Sequence, residues 1–170
     1  VSYSSYASGV ADKWFQVAGP PGGGSSTHRT YSIAAGTSPV GWNNRFNNGH
    51  SRFGNGITGT KVLVVGAMAT NATYSDAKMY LNGTEIARNT SFGGGSTTLD
   101  TNDDYSYIGG GPAGDVGQFF YSNSRIHELV CLEDTSTTNR QLIEGYMAWK
   151  HGIEGDLPSG HPYKTAAPTV

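Results

Sequence analysis

The sequence predicts an all-β protein, a two-sheet antiparallel β-sandwich or jelly roll with one short C-terminal helix. Three observations carry that expectation. Short β-branched and aromatic stretches recur along the chain, separated by Gly-rich punctuation, as in sandwiches and barrels. Gly, Ser, Thr and Asn supply 70 of the 170 residues, while charged residues supply only 14%, so solubility rests on hydroxyls and amides. A single window, late in the chain, spaces its apolar residues at a helical period. The length suits one domain over residues 1–170, with 1–30 an arm or an incomplete N-terminal part and 156–170 an extended tail.

The first break is Gly19-Pro20-Pro21-Gly22-Gly23-Gly24-Ser25-Ser26, an exposed excursion that cannot hold regular structure. A short strand is expected from Thr30 to Ala35, followed by a polar loop from Trp42 to Gly56. Lys61 to Ala69 is apolar on both faces, which suits a central strand. Asn82-Gly83 supplies the two left-handed residues of a type I′ turn, so two antiparallel strands should meet there. Gly93-Gly94-Gly95 ends that hairpin. Further strands are expected at Asp104 to Gly109, Phe119 to Tyr121 and Arg125 to Leu132. In the last of these, Ile126, Val130 and Leu132 share one face. The helix is marked by Ser136 as N-cap, by Leu142, Ile143, Tyr146 and Trp149 at helical spacing, and by Gly152 just past its end.

Composition also excludes. No apolar run approaches the length of a membrane span. A net charge of -2 argues against a nucleic-acid partner, which needs a clustered basic excess. The single Cys131 removes disulfide frameworks and Cys-based zinc sites, and its setting, Val130-Cys131-Leu132, reads as a buried strand. The chain opens on Val1 with neither Met nor a basic-then-apolar leader, which reads as a processed product, a trimmed polypeptide or an ordered fragment.

The helix and tail carry a resemblance. The stretch from Gln141 to Gly152, then Leu157-Pro158-Ser159-Gly160-His161-Pro162-Tyr163, resembles the tail of concanavalin A-like (laminin G-like) jelly-roll domains. Such domains occur in bacteriophage tail and virion proteins and in bacterial surface proteins. The Met79-Tyr80-Leu81-Asn82-Gly83 hairpin and the Ile126-His127-Glu128-Leu129-Val130 segment are similar to that family's order of elements. The resemblance spans residues 60 to 165. It implies a virion-surface location, or else a secreted or bacterial-surface one, and a partner that is a cell-surface glycan or a neighbouring virion protein. Symmetric homo-oligomers, trimers among them, fit that setting. Trp149, His161, Pro162 and Tyr163 are expected to pin the tail against the fold.

The chemistry points to a non-catalytic module. Glucanases of the resembled fold carry Glu-x-Asp-x-x-Glu on one strand, and this chain has no such motif. Glu128, Glu133 and Asp134 have the wrong spacing, and Glu128 is expected to pair with Arg125, Arg140 or loop amides. Neither a Gly-x-Ser-x-Gly elbow nor a His-x-x-x-His pair accompanies the five His residues, and the His127/Cys131 offset is coincidental. Asp100, Asn102 and Asp104 form a candidate calcium loop, although its Asx residues also suit a plain polar turn. Carbohydrate binding is the reading the side chains favour. Aromatic faces cover sugar C–H surfaces while planar amides and guanidinium groups bond hydroxyls. The candidates are Trp42, Asn44, Arg45, Asn47 and Arg52, with Tyr105 and Tyr107 beside the acidic loop. The alternative is a purely structural capsid-decoration or assembly domain.

Overall fold

The computed structural model describes residues 12–18, 29–35, 41–42, 50–53, 61–67, 76, 78–92, 105–108, 110–112, 119–121, 125–134 and 136–169. The Gly19–Ser26 excursion, the Gly93–Gly95 break, and Asn44, Arg45, Asn47, Asp100, Asn102 and Asp104 lie outside these residues. In chain order the strands are β1 (Asp12–Ala18), β2 (Arg29–Ala35), β3 (Gly41–Trp42), β4 (His50–Phe53), β5 (Val64–Ala67) and β6 (Lys78–Leu81). They continue as β7 (Thr84–Glu85), β8 (Arg88–Phe92), β9 (Tyr105–Ile108), β10 (Gly110–Pro112) and β11 (Phe119–Tyr121). The helix α1 (Thr137–His151) and a 3-10 turn (Glu154–Asp156) follow. No helix among the described residues is long and apolar enough to cross a membrane.

Every described pairing is antiparallel. Six strands form one sheet in the order β8-β4-β3-β2-β1-β9, β10 pairs with β11, and β5-β6-β7 form a third sheet. Two expectations need correction. Among the described residues, the Lys61–Ala69 stretch supplies β5, an edge strand paired with β6, and β6 is the middle strand. Residues 50–53, expected within a polar loop, are a strand because β3 and β8 flank them and supply ladders on both sides. Polar residues extend readily when both neighbours are strands, since pairing context outweighs intrinsic preference.

The Asn82-Gly83 turn is where the sequence places it. Asn82 has φ 48° and Gly83 φ 78°, the positive values a type I′ turn needs. Asn82 does a second job. Its backbone N–H donates to the Leu63 carbonyl and its side-chain Oδ1 accepts from the Leu63 N–H, both at 2.8 Å, so one residue completes the ladder beside β5. A Cβ on Gly83 would stand 3.1 Å from His161 Cδ2 and 3.2 Å from Leu157 and Pro158 carbons, so the tail packs directly on the turn.

Both ends of α1 follow from local chemistry. The Ser136 hydroxyl accepts from the Asn139 N–H at 3.3 Å. Asp134 in turn accepts from the Ser136 N–H at 2.6 Å and from the Asn139 amide, and these bonds hold its carboxyl below the usual range. At the other end Gly152 adopts φ 65°, its N–H donates to Trp149 O, and Ile153 N–H reaches Ala148 O at 2.9 Å. That pair of bonds is a Schellman motif, and Lys150 and His151 complement the negative end of the helix dipole. The buried helix positions are Glu144, Gly145, Met147 and Ala148. Trp149, expected on the core stripe, is instead exposed. With Val62, Leu63, Met79 and Tyr80 from around the hairpin and Leu157 from the tail, Met147 and Ala148 make up the buried apolar set among the described residues.

The tail does not run extended. It folds through successive turns closed by Leu157 N–H to Glu154 O, His161 N–H to Pro158 O and Lys164 N–H to His161 O. The Lys164 ammonium donates to the carbonyls of Glu154 and Gly155. Residues 126–132, expected as a strand, enter no ladder. Cys131, expected buried, is exposed. Alternation alone does not make a strand, because a ladder needs a partner edge; Arg125 makes an isolated bridge, and the Glu128 side chain ties the segment to α1.

Candidate functional site

Two carboxylates organise the helix, and a separate set of residues lies on the six-stranded sheet. Glu144 is wholly buried, an unusual place for a carboxylate unless it is paired and hydrogen-bonded. Arg140, one turn earlier, donates from Nη1 to Oε1 at 2.7 Å and to Oε2 at 2.6 Å. The Arg140 guanidinium also lies 3.8 Å from the centre of the Tyr80 ring, a cation–π stack that ties α1 to β6. His161 closes the group from the tail. Its Nδ1 accepts the Tyr163 N–H at 3.2 Å, so Nε2 carries the proton in the neutral ring and donates to Glu144 Oε2 at 3.3 Å. Both imidazole nitrogens are thereby occupied, which leaves none to take a proton from a substrate. Trp149 Nε1 donates to the Tyr163 carbonyl at 2.8 Å and fastens the same turn of the tail.

Glu128 forms a second, partly exposed cluster. Lys150 Nζ reaches its Oε1 at 3.0 Å and His151 Nε2 its Oε2 at 2.9 Å. These partners replace the Arg125, Arg140 or loop amides expected from the sequence, and Arg140 is taken by Glu144. Lys150 also donates to the Tyr146 hydroxyl at 3.2 Å, and Lys61 Nζ to the His151 carbonyl at 3.2 Å. The His127 and His151 rings are 5.8 Å apart. Bonds from Lys150 first and His151 second hold the Glu128 carboxyl below its ordinary value, and the Glu128 bond pushes the Lys150 ammonium up. The sign of the consequence is fixed by linkage. A carboxyl lowered on folding contributes stability above its unfolded value, and that contribution is lost as pH falls through the folded one. Glu128→Gln should therefore lower the urea midpoint near neutrality, and the gap to the parent protein should close on acidification. Matched urea titrations from neutral to acid pH check this.

Four of the sugar-binding candidates fall on the described strands, and register sorts them. Trp42 pairs with Ile33 and with Ser51; Ile33 pairs with Phe15, and Phe15 with Ile108. Directly paired residues share a face, so these belong to one side of the sheet. Arg52 pairs with Gly41 and Thr90, one step out of phase with Trp42, and therefore belongs to the other side. Tyr107 pairs with Gln16, and Gln16 with Ser32, on that second side, with Tyr105 two residues along the same strand. Register thus places Arg52, Tyr105 and Tyr107 on one face and Trp42 on the opposite one, but β3, β2 and β1 lie between β4 and β9, so Arg52 stands about 19 Å across the sheet from the two tyrosines. Gln16, Ser32 and Thr90 join the Arg52 face. Alternation within β1, β2 and β8 could have suggested them, but only register shows that they share a side.

No group of three or more His, Cys, Asp or Glu among the described residues is placed to hold a metal ion. Compared with known protein families, curated proteins and solved structures, the chain matches none of them.

Proposed function

We propose that the chain is a concanavalin A-like β-sandwich acting as a non-catalytic attachment module on a virion or bacterial surface, with a glycan as its ligand. The observation that carries this reading is the division of the six-stranded sheet. One face has Phe15, Ile33, Trp42, Ser51, Ser91 and Ile108, and the other has Gln16, Ser32, Ala34, Gly41, Arg52, Thr90 and Tyr107. Hydroxyls, an amide, a guanidinium and phenol rings are the groups that bond sugar hydroxyls and cover C–H surfaces. The two carboxylates described above are engaged by cations on their own protein, which supports binding over hydrolysis.

A glycan array probed with the whole chain tests this. Tyr107→Ala and Arg52→Ala should each weaken the strongest array signal about tenfold or more with an unchanged melting midpoint, as for truncation of a central contact residue. Trp42→Ala, on the opposite face, should leave that signal unchanged. Silence across the array, or full binding by both variants, refutes the reading.

A further inference from the structure

Register distributes the charges of the six-stranded sheet unevenly. Lys13 pairs with Ala34, and Ala34 pairs with Gly41, the partner of Arg52. Arg29 pairs with Ala18, and Ala18 with Tyr105. Directly paired residues share a face, so Lys13 and Arg29 join Arg52, Tyr105 and Tyr107. The one acidic residue in these six strands is Asp12, which pairs with Ala35, two residues from Ile33, on the Trp42 side. Arg88, paired with Phe53, lies on the Trp42 side as well.

Lys13, Arg29 and Arg52 thus belong to one face, and none of the strand residues on that face is a carboxylate, in a chain whose net charge is -2. The sheet sets their spacing. Lys13 and Arg52 are three strand steps apart, about 14 Å, with Gly41 and Ala34 in the row between them. Arg29 stands five residues along β2 from Ala34, about 16 Å. Gln16, Ser32 and Thr90 add an amide and two hydroxyls to the same face, and His50 pairs with Phe92 at its β8 edge. Cations spread this widely match repeating anionic groups on a polymer rather than one small anion.

We propose that the ligand of this face is an acidic polysaccharide whose carboxylate or sulfate groups are held by Lys13, Arg29 and Arg52. The inference rests on the glycan reading above and adds to it the charge of the ligand. A guanidinium offers paired donors to carboxylate or sulfate oxygens, and an ammonium a point charge. With no strand carboxylate on the face, nothing in the ladder repels such a polymer. A net charge of -2 lacks the basic excess that a nucleic acid needs, so the polysaccharide is the favoured polyanion.

The probes are fluorescein-labelled polygalacturonate and dextran sulfate, read by anisotropy against the whole chain. Each has a neutral control on the same backbone, methyl-esterified polygalacturonate and plain dextran. The expected result is binding of at least one acidic polymer, weakened by salt, with its neutral control about tenfold weaker, the scale of three ion pairs. Whichever acidic polymer binds identifies the anionic group. Joint Lys13→Gln and Arg29→Gln should weaken binding about fivefold, the scale of two ion pairs. Lys13→Arg with Arg29→Lys keeps both charges and should restore most of that loss, which separates charge from folding. Asp12→Asn, on the other face, should leave binding unchanged. No preference for either acidic polymer over its control, full binding by the Gln pair, or equally tight binding of a polyuridylate strand overturns the proposal. If the array responds to neutral glycans through Arg52 and Tyr107 while the acidic polymers show no preference, this inference alone falls. A silent array with no polymer bound removes the glycan reading as well.

Discussion

Glu144→Ala should cost about 3–5 kcal/mol of folding stability, the range for removing one partner of a buried ion pair. The reason is what remains. The Arg140 side chain is only 11% exposed, and its Nη1 loses both acceptors. His161, with a side chain 1% exposed, loses the acceptor for its Nε2 proton. The cost therefore comes from stranded donors more than from the attraction removed. Replacing both charges with apolar residues of similar size, as in Arg140→Met with Glu144→Leu, should recover much of the loss. Urea unfolding of the single and the double variant checks it. A single variant as stable as the parent would mean that the pair is solvated in solution.

Gly145→Ala is the second large effect, and its sign runs against helix propensity. Within a helix Ala is favoured over Gly by about 1 kcal/mol. Here the new methyl carbon would stand 2.5 Å from Tyr163 Cβ and 2.7 Å from its Cγ and Cδ2. Those atoms lie at the root of the side chain, so relief requires moving the tail backbone. Overpacking of this kind costs about 1–3 kcal/mol, and the clash should prevail, for a net loss of about 2 kcal/mol. Denaturant titration measures the loss, and amide exchange at Tyr163, whose N–H donates to His161, should accelerate. In a Tyr163→Gly background the opposing carbons are gone, and Gly145→Ala should become neutral or stabilising.

What could be read in advance was local. Ser136 and Gly152 mark the helix ends because capping bonds and left-handed backbone depend on a residue and its near neighbours. Asn82-Gly83 marks its turn for the same reason. Glu144 was opaque. Spacing singled out Leu142, Ile143, Tyr146 and Trp149 as the helix's apolar set, whereas its buried positions include a carboxylate. Its burial depends on His161, seventeen residues on, and on Tyr163 finding room over Gly145. The 126–132 run failed in the opposite way. Its alternation is real, but whether a neighbouring edge exists to pair with it is a tertiary fact. The candidate site was half legible. Side-chain chemistry nominated Arg52, Tyr105 and Tyr107, and the parity of pairing then separated them from Trp42 and added Gln16, Ser32 and Thr90.

The hydrogen bond from the Trp149 indole to the Tyr163 carbonyl gives the molecule an internal optical gauge. Indole emission follows the polarity and bonding of its surroundings, so detachment of the tail would register as a red shift at this one fluorophore. With Trp14 and Trp42 replaced by Phe, the remaining emission would follow the seating of residues 157–163 in real time, without any added dye.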